Sequence, residues 1–162
     1  MKKYLVHSLA ALALATALSA TAANARPMTE TDLATLKRLG APTLSPDGKT
    51  VAYQLRETDL EANKGRYDLY LVSSSGGEPI KIASKADKNE HSPAFSPEGR
   101  YLYYLSDESG SDQLWRVALF GGKPLRVSDF KADIAGFKLS RDGLKVAMWG
   151  DIAKDCSTFG CD

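Results

Sequence analysis

Hydrophobic positions follow two different periods along the chain, and the change between them marks the first structural boundary. Leu33, Leu36 and Leu39 recur at the spacing of one helix face and are followed directly by a glycine, a common helix stop. They are preceded by Thr29-Glu30-Thr31-Asp32, in which a threonine and an acidic residue are spaced as in a capping box. The pattern predicts one short helix within residues 26–40, after which hydrophobic positions recur with the period of a strand.

A short turn motif occurs three times in this second part of the chain. Each copy contains a serine and ends in a glycine, and the copies begin 51 and 44 residues apart, at Leu44–Gly48, Phe95–Gly99 and Leu139–Gly143. Each copy is followed by a run rich in β-branched or aromatic residues, at Thr50–Leu55, Tyr101–Leu105 and Lys145–Trp149. Glycine with proline or aspartate favours a turn and the runs favour strands, so each copy predicts a turn that leads into a strand.

A second motif lies between these copies. Two further strand-like runs, Asp68–Val72 and Gln113–Val117, begin 45 residues apart, and each leads through a glycine pair into another alternating run, at Ile80–Ile82 and Leu125–Val127. One repeat therefore predicts four antiparallel strands in a meander. Repeats of roughly 40–50 residues with four strands are typical of β-propeller blades. We predict an all-β partial propeller of about three blades over residues 41–162, with a plain antiparallel sandwich as the alternative.

Residues 1–25 match the three parts of a secretory signal peptide. Lys2 and Lys3 form a positive start, residues 4–22 are uncharged and rich in Ala and Leu, and Ala23-Asn24-Ala25 places small residues on both sides of one position. We predict cleavage after Ala25 and export to the bacterial periplasm or beyond, with no stable membrane span afterwards. An uncleaved anchor is the alternative, because the apolar stretch is close to the roughly 20 residues that cross a bilayer.

The composition is that of an ordinary globular domain. The 162 residues are 43% hydrophobic and 25% charged, with 21 Lys and Arg against 20 Asp and Glu and a net charge of +1. Basic residues are scattered among acidic ones, whereas a nucleic-acid interface needs them clustered on one face. No nucleic-acid partner is therefore predicted.

The two cysteines, Cys156 and Cys161, gain meaning from the predicted export. In an oxidising compartment their close spacing permits a small disulfide loop, which is our first interpretation. A metal site is less favoured, because two thiols supply only half of a tetrahedral zinc shell. Two free thiols remain the third alternative.

Nucleophilic catalysis has little support in this sequence. A G-x-S-x-G nucleophile elbow is absent, and His91 is the only histidine after the signal peptide. Because His91 precedes Ser92-Pro93 at the start of a predicted strand, we favour a role in a loop or turn over a catalytic one. Ser73–Gly77 lacks the Lys and following helix of a phosphate loop, so it predicts a hairpin turn.

Acidic and aromatic residues also favour structural roles. Asp107-Glu108 and Asp151 with Asp155 lack the spacing of a calcium-binding loop, so we interpret them as solvated turns and predict neither a metal nor a cofactor. Six aromatic residues alternate at strand spacing, which favours packing between blades, with a substrate-facing aromatic in the propeller channel as the alternative. These are Tyr70, Tyr101, Tyr103, Tyr104, Trp115 and Trp149.

The mature chain resembles the start of bacterial prolyl oligopeptidase family peptidases, including their acylaminoacyl-peptidase and dipeptidyl-peptidase-like branches. The resemblance begins near Pro27 and is most specific where Thr29–Gly40 leads into Pro42–Tyr53. The Ser-Pro-Asp-Gly blade motif is shared with TolB-type (PD40-like) propellers, and the third copy departs from it with Arg141 in place of proline. The resemblance implies an N-terminal propeller that caps an α/β-hydrolase domain with a Ser-Asp-His triad and admits only peptides or loose chains.

The leading hypothesis is therefore the propeller portion of an exported serine peptidase. It gates peptide access to a catalytic domain outside this chain, so we predict peptide substrates for the whole protein and assign no catalytic residue here. The alternative is a periplasmic TolB-type propeller that binds protein partners and has no enzymatic activity. The number of subunits is not predicted.

Overall fold

The computed structural model describes residues 26–151 and 154–155. Within these ranges the chain forms one helix and ten strands. The helix is α1 (Glu30–Thr35), and the strands are β1 (Arg38–Leu44), β2 (Thr50–Asp59), β3 (Lys64–Ser73), β4 (Ile80–Ile82), β5 (Glu90–Phe95), β6 (Tyr101–Ser106), β7 (Gln113–Ala118), β8 (Leu125–Arg126), β9 (Gly136–Leu139) and β10 (Val146–Trp149). The predicted signal peptide, its cleavage site after Ala25, and Cys156 and Cys161 lie outside the described residues.

Helix α1 begins with the predicted capping box. The Thr29 side chain accepts a hydrogen bond from the backbone N of Asp32, and the Asp32 carboxylate accepts one from the backbone N of Thr29 at 2.8 Å. Arg26 also donates to Asp32 at 2.6 Å, and this contact is the largest cause that lowers the pKa of Asp32. Both interactions hold the start of α1.

The helix ends earlier than the leucine spacing predicts. Its last residue is Thr35, and Leu39 and Gly40 lie in β1, where they pair with Leu55 and Gln54 of β2. Six residues of helix gain little stability alone, whereas the strand gains a ladder of backbone hydrogen bonds. The prediction of a helix that continues to residue 40 is therefore wrong in its second half.

The strands form two four-stranded antiparallel meanders and one two-stranded sheet. The first sheet has the order β1-β2-β3-β4, the second has the order β5-β6-β7-β8, and β9 pairs with β10. We call the first two sheets blade 1 and blade 2. They confirm the predicted four-stranded unit and the partial propeller, and the third repeat contributes β9 and β10 within the described residues.

The serine and glycine of the turn motif explain why it recurs. Ser45 Oγ donates to Asp47 at 2.6 Å and accepts from the backbone N of Thr50 at 2.9 Å, while Gly48 has a φ of 72° that favours glycine. The third copy has the same geometry, because Ser140 Oγ donates to Asp142 at 2.5 Å. Arg141 thus occupies the proline position of this turn without changing it.

Two hydrophobic cores lie between neighbouring sheets. Blades 1 and 2 bury the first core, which contains Ala52, Leu69, Leu102, Tyr104 and Val117. The second core lies between blade 2 and the β9–β10 pair and contains Leu105, Leu114 and Ile134. Side chains alternate between the two faces of a strand, so β6 contributes to both cores. Burial on both faces of blade 2 is the arrangement expected within a propeller.

Candidate functional site

A polar cleft of about 590 Å³ opens between blades 1 and 2. It lies at the ends of the strands opposite the serine–glycine turns, because those turns join the far ends of β1 and β2 and of β5 and β6. Each blade contributes four lining residues: Gln54, Arg56, Gly65 and Tyr67 from blade 1, and Asn89, His91, Asp107 and Asp112 from blade 2. We take this cleft as the candidate functional site.

The register of β2 and β3 determines which side chains of blade 1 line the cleft. Arg56 of β2 lies opposite Tyr67 of β3, so both side chains project from the same face of the sheet toward blade 2. The Arg56 guanidinium lies 6.0 Å from the centre of the Tyr67 ring. Gly65 provides the space for this guanidinium, since a Cβ atom at Gly65 would lie 2.0 Å from Arg56 Nη2.

An asparagine–aspartate pair ties the wall of blade 2 to blade 1. The Asp107 carboxylate accepts from the backbone N of Asn89 at 2.9 Å and from Asn89 Nδ2 at 2.8 Å. Asn89 Oδ1 in turn accepts from the backbone N of Tyr67 in blade 1 at 3.1 Å. Asn89 Oδ1 therefore joins the two blades, while Asn89 Nδ2 is held by Asp107 within blade 2.

His91 lies inside β5 at a β-bulge. The pairing of β5 with β6 shifts between His91 and Ala94, and Ser92 has a φ of 54°. Gln54 of blade 1 stabilises this backbone, because its Oε1 accepts from the backbone N of Ser92 at 2.8 Å. The bulge turns the imidazole toward the cleft, where its ring centre lies 6.2 Å from that of Tyr67.

The polar contacts of His91 resemble a catalytic relay only in outline. Its Nε2 lies 3.3 Å from Asp112 Oδ2, and its Nδ1 lies 3.1 Å from Ser92 Oγ. Ser92 is the adjacent residue in the chain, so its hydroxyl is a local partner of the ring and is not carried on a separate nucleophile elbow. We interpret these two contacts as structural, because they fix the orientation of the imidazole beside Asp112.

A buried carboxyl lies next to the cleft. Glu90 is fully buried, its Oε1 accepts from the backbone N of Lys85 at 3.2 Å, and its Oε2 has no hydrogen-bond partner among the described residues. The pKa of Glu90 is raised to about 7, mainly by burial, and the nearby carboxylates of Asp68, Asp107 and Glu108 contribute to this increase.

Tyr104 shares the interior with Glu90. Its ring is fully buried, and within the described part of the chain its hydroxyl has no partner. Burial is the main cause that raises the pKa of Tyr104, and the charge of Glu90 contributes. Glu90 and Tyr104 are therefore two weakly solvated acids behind the wall of the cleft.

The acidic turn at Asp107-Glu108 is more than a solvated turn. Both oxygens of Asp107 bind Asn89, and Glu108 forms an ion pair with Lys85 at 2.7 Å. Among the described residues no cluster of three or more His, Cys, Asp or Glu has the geometry of a metal site. Asp151 and Asp155 are exposed.

The six aromatic residues have four different environments. Tyr103, Tyr104 and Trp115 pack in or against the two cores, as predicted. Tyr70 instead stacks on Tyr53, with ring centres 5.6 Å apart. The remaining two differ as well, because Tyr101 lies 4.8 Å from the guanidinium of Arg116 and Trp149 is 54% exposed. The prediction of inter-blade packing is therefore confirmed for Tyr103, Tyr104 and Trp115, and it stays a prediction for Tyr70, Tyr101 and Trp149.

Most of the residues that line the cleft cannot be identified from the sequence. His91 and Asp107 attract attention as titratable residues, but Gln54, Arg56 and Tyr67 do not. A signal exists in hindsight, because polar side chains follow Ala52 at every second position of β2. The predicted strand ends at Leu55, whereas β2 continues to Asp59 and carries Arg56 into the wall of the cleft.

Comparison with known proteins identifies the repeat. A family model described as the TolB beta propeller domain matches residues 29–158. Dipeptidyl-peptidase 5 from Porphyromonas gingivalis is 31% identical over 118 residues, which are 73% of this chain and 17% of that protein. The Tol-Pal system protein TolB of Bordetella pertussis is 33% identical over 54 residues, which are 33% of this chain and 12% of that protein.

Solved structures share the fold. An acylaminoacyl peptidase in complex with Z-Gly-Gly-Phe-chloromethyl ketone matches with a TM-score of 0.65 and 21% identity, covering 81% of this chain and 20% of that one. The chain thus spans about a fifth or less of the peptidases that it matches. In the described ranges, no helix has the length and apolar character needed to cross a bilayer.

Proposed function

Because this chain belongs to the TolB β-propeller domain family, we propose that it is the N-terminal propeller portion of an exported serine peptidase of the prolyl oligopeptidase family. In this proposal the blades restrict access to a catalytic domain outside the chain, and peptides are the substrates. The catalytic domain then carries out the hydrolysis, and this chain selects substrates by their size. The observation that carries the proposal is the likeness to dipeptidyl-peptidase 5, which extends over 118 residues and is therefore longer than any single blade.

The structure of the blades is suited to a filter. Two inter-blade cores join neighbouring blades, and two hydrogen bonds cross between blades 1 and 2. The backbone N of Tyr67 donates to Asn89 Oδ1, and the backbone N of Ser92 donates to Gln54 Oε1. β5, the first strand of blade 2, contacts β1, β2 and β3 of blade 1. First strands of successive blades therefore lie side by side, as they do around the axis of a propeller. We propose that a channel along this axis excludes folded proteins by size and admits extended peptides.

A TolB-type binding propeller is the second candidate, and the likeness to TolB favours it. An activity test on the full-length gene product separates the two. We expect covalent labelling by a fluorophosphonate probe, hydrolysis of short peptides, and no hydrolysis of a folded protein that contains the same peptide sequence. A product that neither reacts with the probe nor cleaves any peptide would contradict the peptidase proposal and favour the binding propeller.

Export is the second part of the proposal. It is supported by the signal-peptide pattern of residues 1–25 and by the engagement of Arg26, the predicted first mature residue, with Asp32. Mass spectrometry of the periplasmic protein should find Arg26 at the amino terminus. Cys156 and Cys161 should resist alkylation before reduction and should be alkylated after it, as expected for a disulfide. An intact amino terminus in the membrane fraction would contradict export by cleavage.

A further inference from the structure

Two arginines lie opposite each other in the strand register of blade 1. Arg38 of β1 is the register partner of Arg56 of β2, so both side chains project from the same face of the sheet. Among the described residues, neither guanidinium lies within 4.0 Å of a carboxylate. Like charges directly opposite on neighbouring strands are destabilising, and here no carboxylate of the described chain offsets their repulsion.

The Arg56 guanidinium is positioned and only partly used. Its Nη1 donates to Thr58 Oγ1 at 3.1 Å, and the group lies across Gly65. A guanidinium has five N–H donors in one plane. Within the described chain the bond to Thr58 is the only side-chain hydrogen bond of Arg56, so most of its donors remain available to a molecule in the cleft.

Most acceptors around the cleft are already engaged with the protein, whereas Asp112 Oδ1 is buried without a hydrogen-bond partner among the described residues. Both oxygens of Asp107 bind Asn89, Gln54 Oε1 binds the backbone of Ser92, and Asp112 Oδ2 faces His91. On the blade 1 side of the cleft, most donors of Arg56 therefore lack an acceptor, and a negatively charged group bound there would offset the two opposed arginines. A carboxylate fits best, because its two oxygens match the planar guanidinium fork.

We propose that Arg38 and Arg56, with the Tyr67 ring beside them, form a recognition site for a carboxylate of a bound peptide. This inference rests on the proposed function, in which peptides reach the propeller. The carboxylate belongs either to an acidic side chain or to the free carboxyl terminus. The site lies on β1 and β2 next to β5, where an entering chain passes the first strands of both blades.

The test compares matched fluorescein-labelled peptides bound to the full-length gene product. One pair differs only by Glu or Gln at an internal position, and the other pair only by a free or amidated carboxyl terminus. Fluorescence anisotropy at low salt should show tighter binding of one carboxylate member by about tenfold, the size expected for one charge-assisted interaction. The pair that shows the preference identifies the source of the carboxylate.

Variants assign the preference to the arginines. Arg56→Gln and Arg38→Gln should each reduce the tenfold preference to nearly none. Gly65→Ala should have the same effect as Arg56→Gln, because its Cβ would displace the guanidinium while the cleft keeps its charge. Arg66→Gln is the matched control, since Arg66 lies on the opposite face of β3 and pairs with Asp87. It should leave the preference intact.

Binding and hydrolysis separate this inference from the proposed function. Equal affinity for both members of each pair, or a preference that survives both Arg56→Gln and Gly65→Ala, would overturn the carboxylate site even if peptides are cleaved. A preference that disappears in those variants supports the site even if no peptide is cleaved. Thermal melting of each variant excludes unfolding as the cause of any loss.

Discussion

Replacement of the buried carboxyl by an amide should change how the stability of the protein depends on pH. In Glu90→Gln, the side-chain oxygen that accepts from the backbone N of Lys85 is retained and the ionisation is removed. The wild-type carboxyl has a pKa raised to about 7 in the folded state by burial, against 4.5 as its ordinary value. Folding therefore favours its protonated form.

The sign and size follow from that difference. A carboxyl whose pKa is raised on folding contributes its full stability below about pH 4.5, and this contribution is lost as the pH rises toward 7. Between pH 4.5 and 7 the loss is at most ~3 kcal/mol, because each pKa unit corresponds to about 1.4 kcal/mol. Glu90→Gln should therefore gain stability relative to the wild type as the pH increases, and the gain should level off above pH 7.

Chemical denaturation at several pH values from 5 to 8 measures this effect. Trp115 packs against the core between blades 1 and 2, so its fluorescence reports on the unit that contains Glu90. Glu61→Gln is the control, because Glu61 is exposed in the loop between β2 and β3. If the wild type and Glu90→Gln lose stability in parallel across this range, the assignment of a raised pKa to Glu90 is refuted.

Three further predictions concern packing and turns. Leu69→Ala should lower the free energy of unfolding by about 2–5 kcal/mol, because Leu69 is fully buried in the inter-blade core, whereas Leu144→Ala at an 83% exposed position should change it by less than about 0.5 kcal/mol; denaturant titration compares the two. Ser96→Ala should cost about 1–2 kcal/mol in the same titration, since Ser96 Oγ accepts from the backbone N atoms of Arg100 and Tyr101. Arg141→Pro should be neutral or raise the melting temperature slightly, because proline fits this position in the other two turns and restricts the unfolded chain; a marked loss of stability would show that the third turn differs.

The repeating turns show which features depend on local sequence. Ser45 and Ser140 form the same hydrogen bonds to an aspartate two residues later, although one turn contains proline and the other arginine. These contacts involve neighbours in the chain, so they can be predicted without knowledge of the rest of the fold. The hairpin at Ser73–Gly77 is similar, because Gly76 and Gly77 have φ values of 95° and 122°.

The end of the helix shows where local pattern fails. Leu33, Leu36 and Leu39 have helical spacing, but Leu39 joins a strand because β2 offers it a partner. The same competition explains the bulge in β5. Ser92 adopts a positive φ because Gln54, 38 positions earlier in the chain, accepts its backbone N–H. A local pattern of residue types cannot show a hydrogen-bond partner that lies 38 positions away in the chain.

The sequence alone therefore determines the repeat, the four-stranded blades and the turns, since each depends on residues that are close in the chain. The tertiary structure alone decides the site. It brings Arg56 beside Arg38 through strand register, places Gly65 under the guanidinium, and closes the cleft with His91 and Asp112 from the next blade. Strand pairing and blade packing join residues tens of positions apart, and the chemistry of the cleft depends on those distances in space.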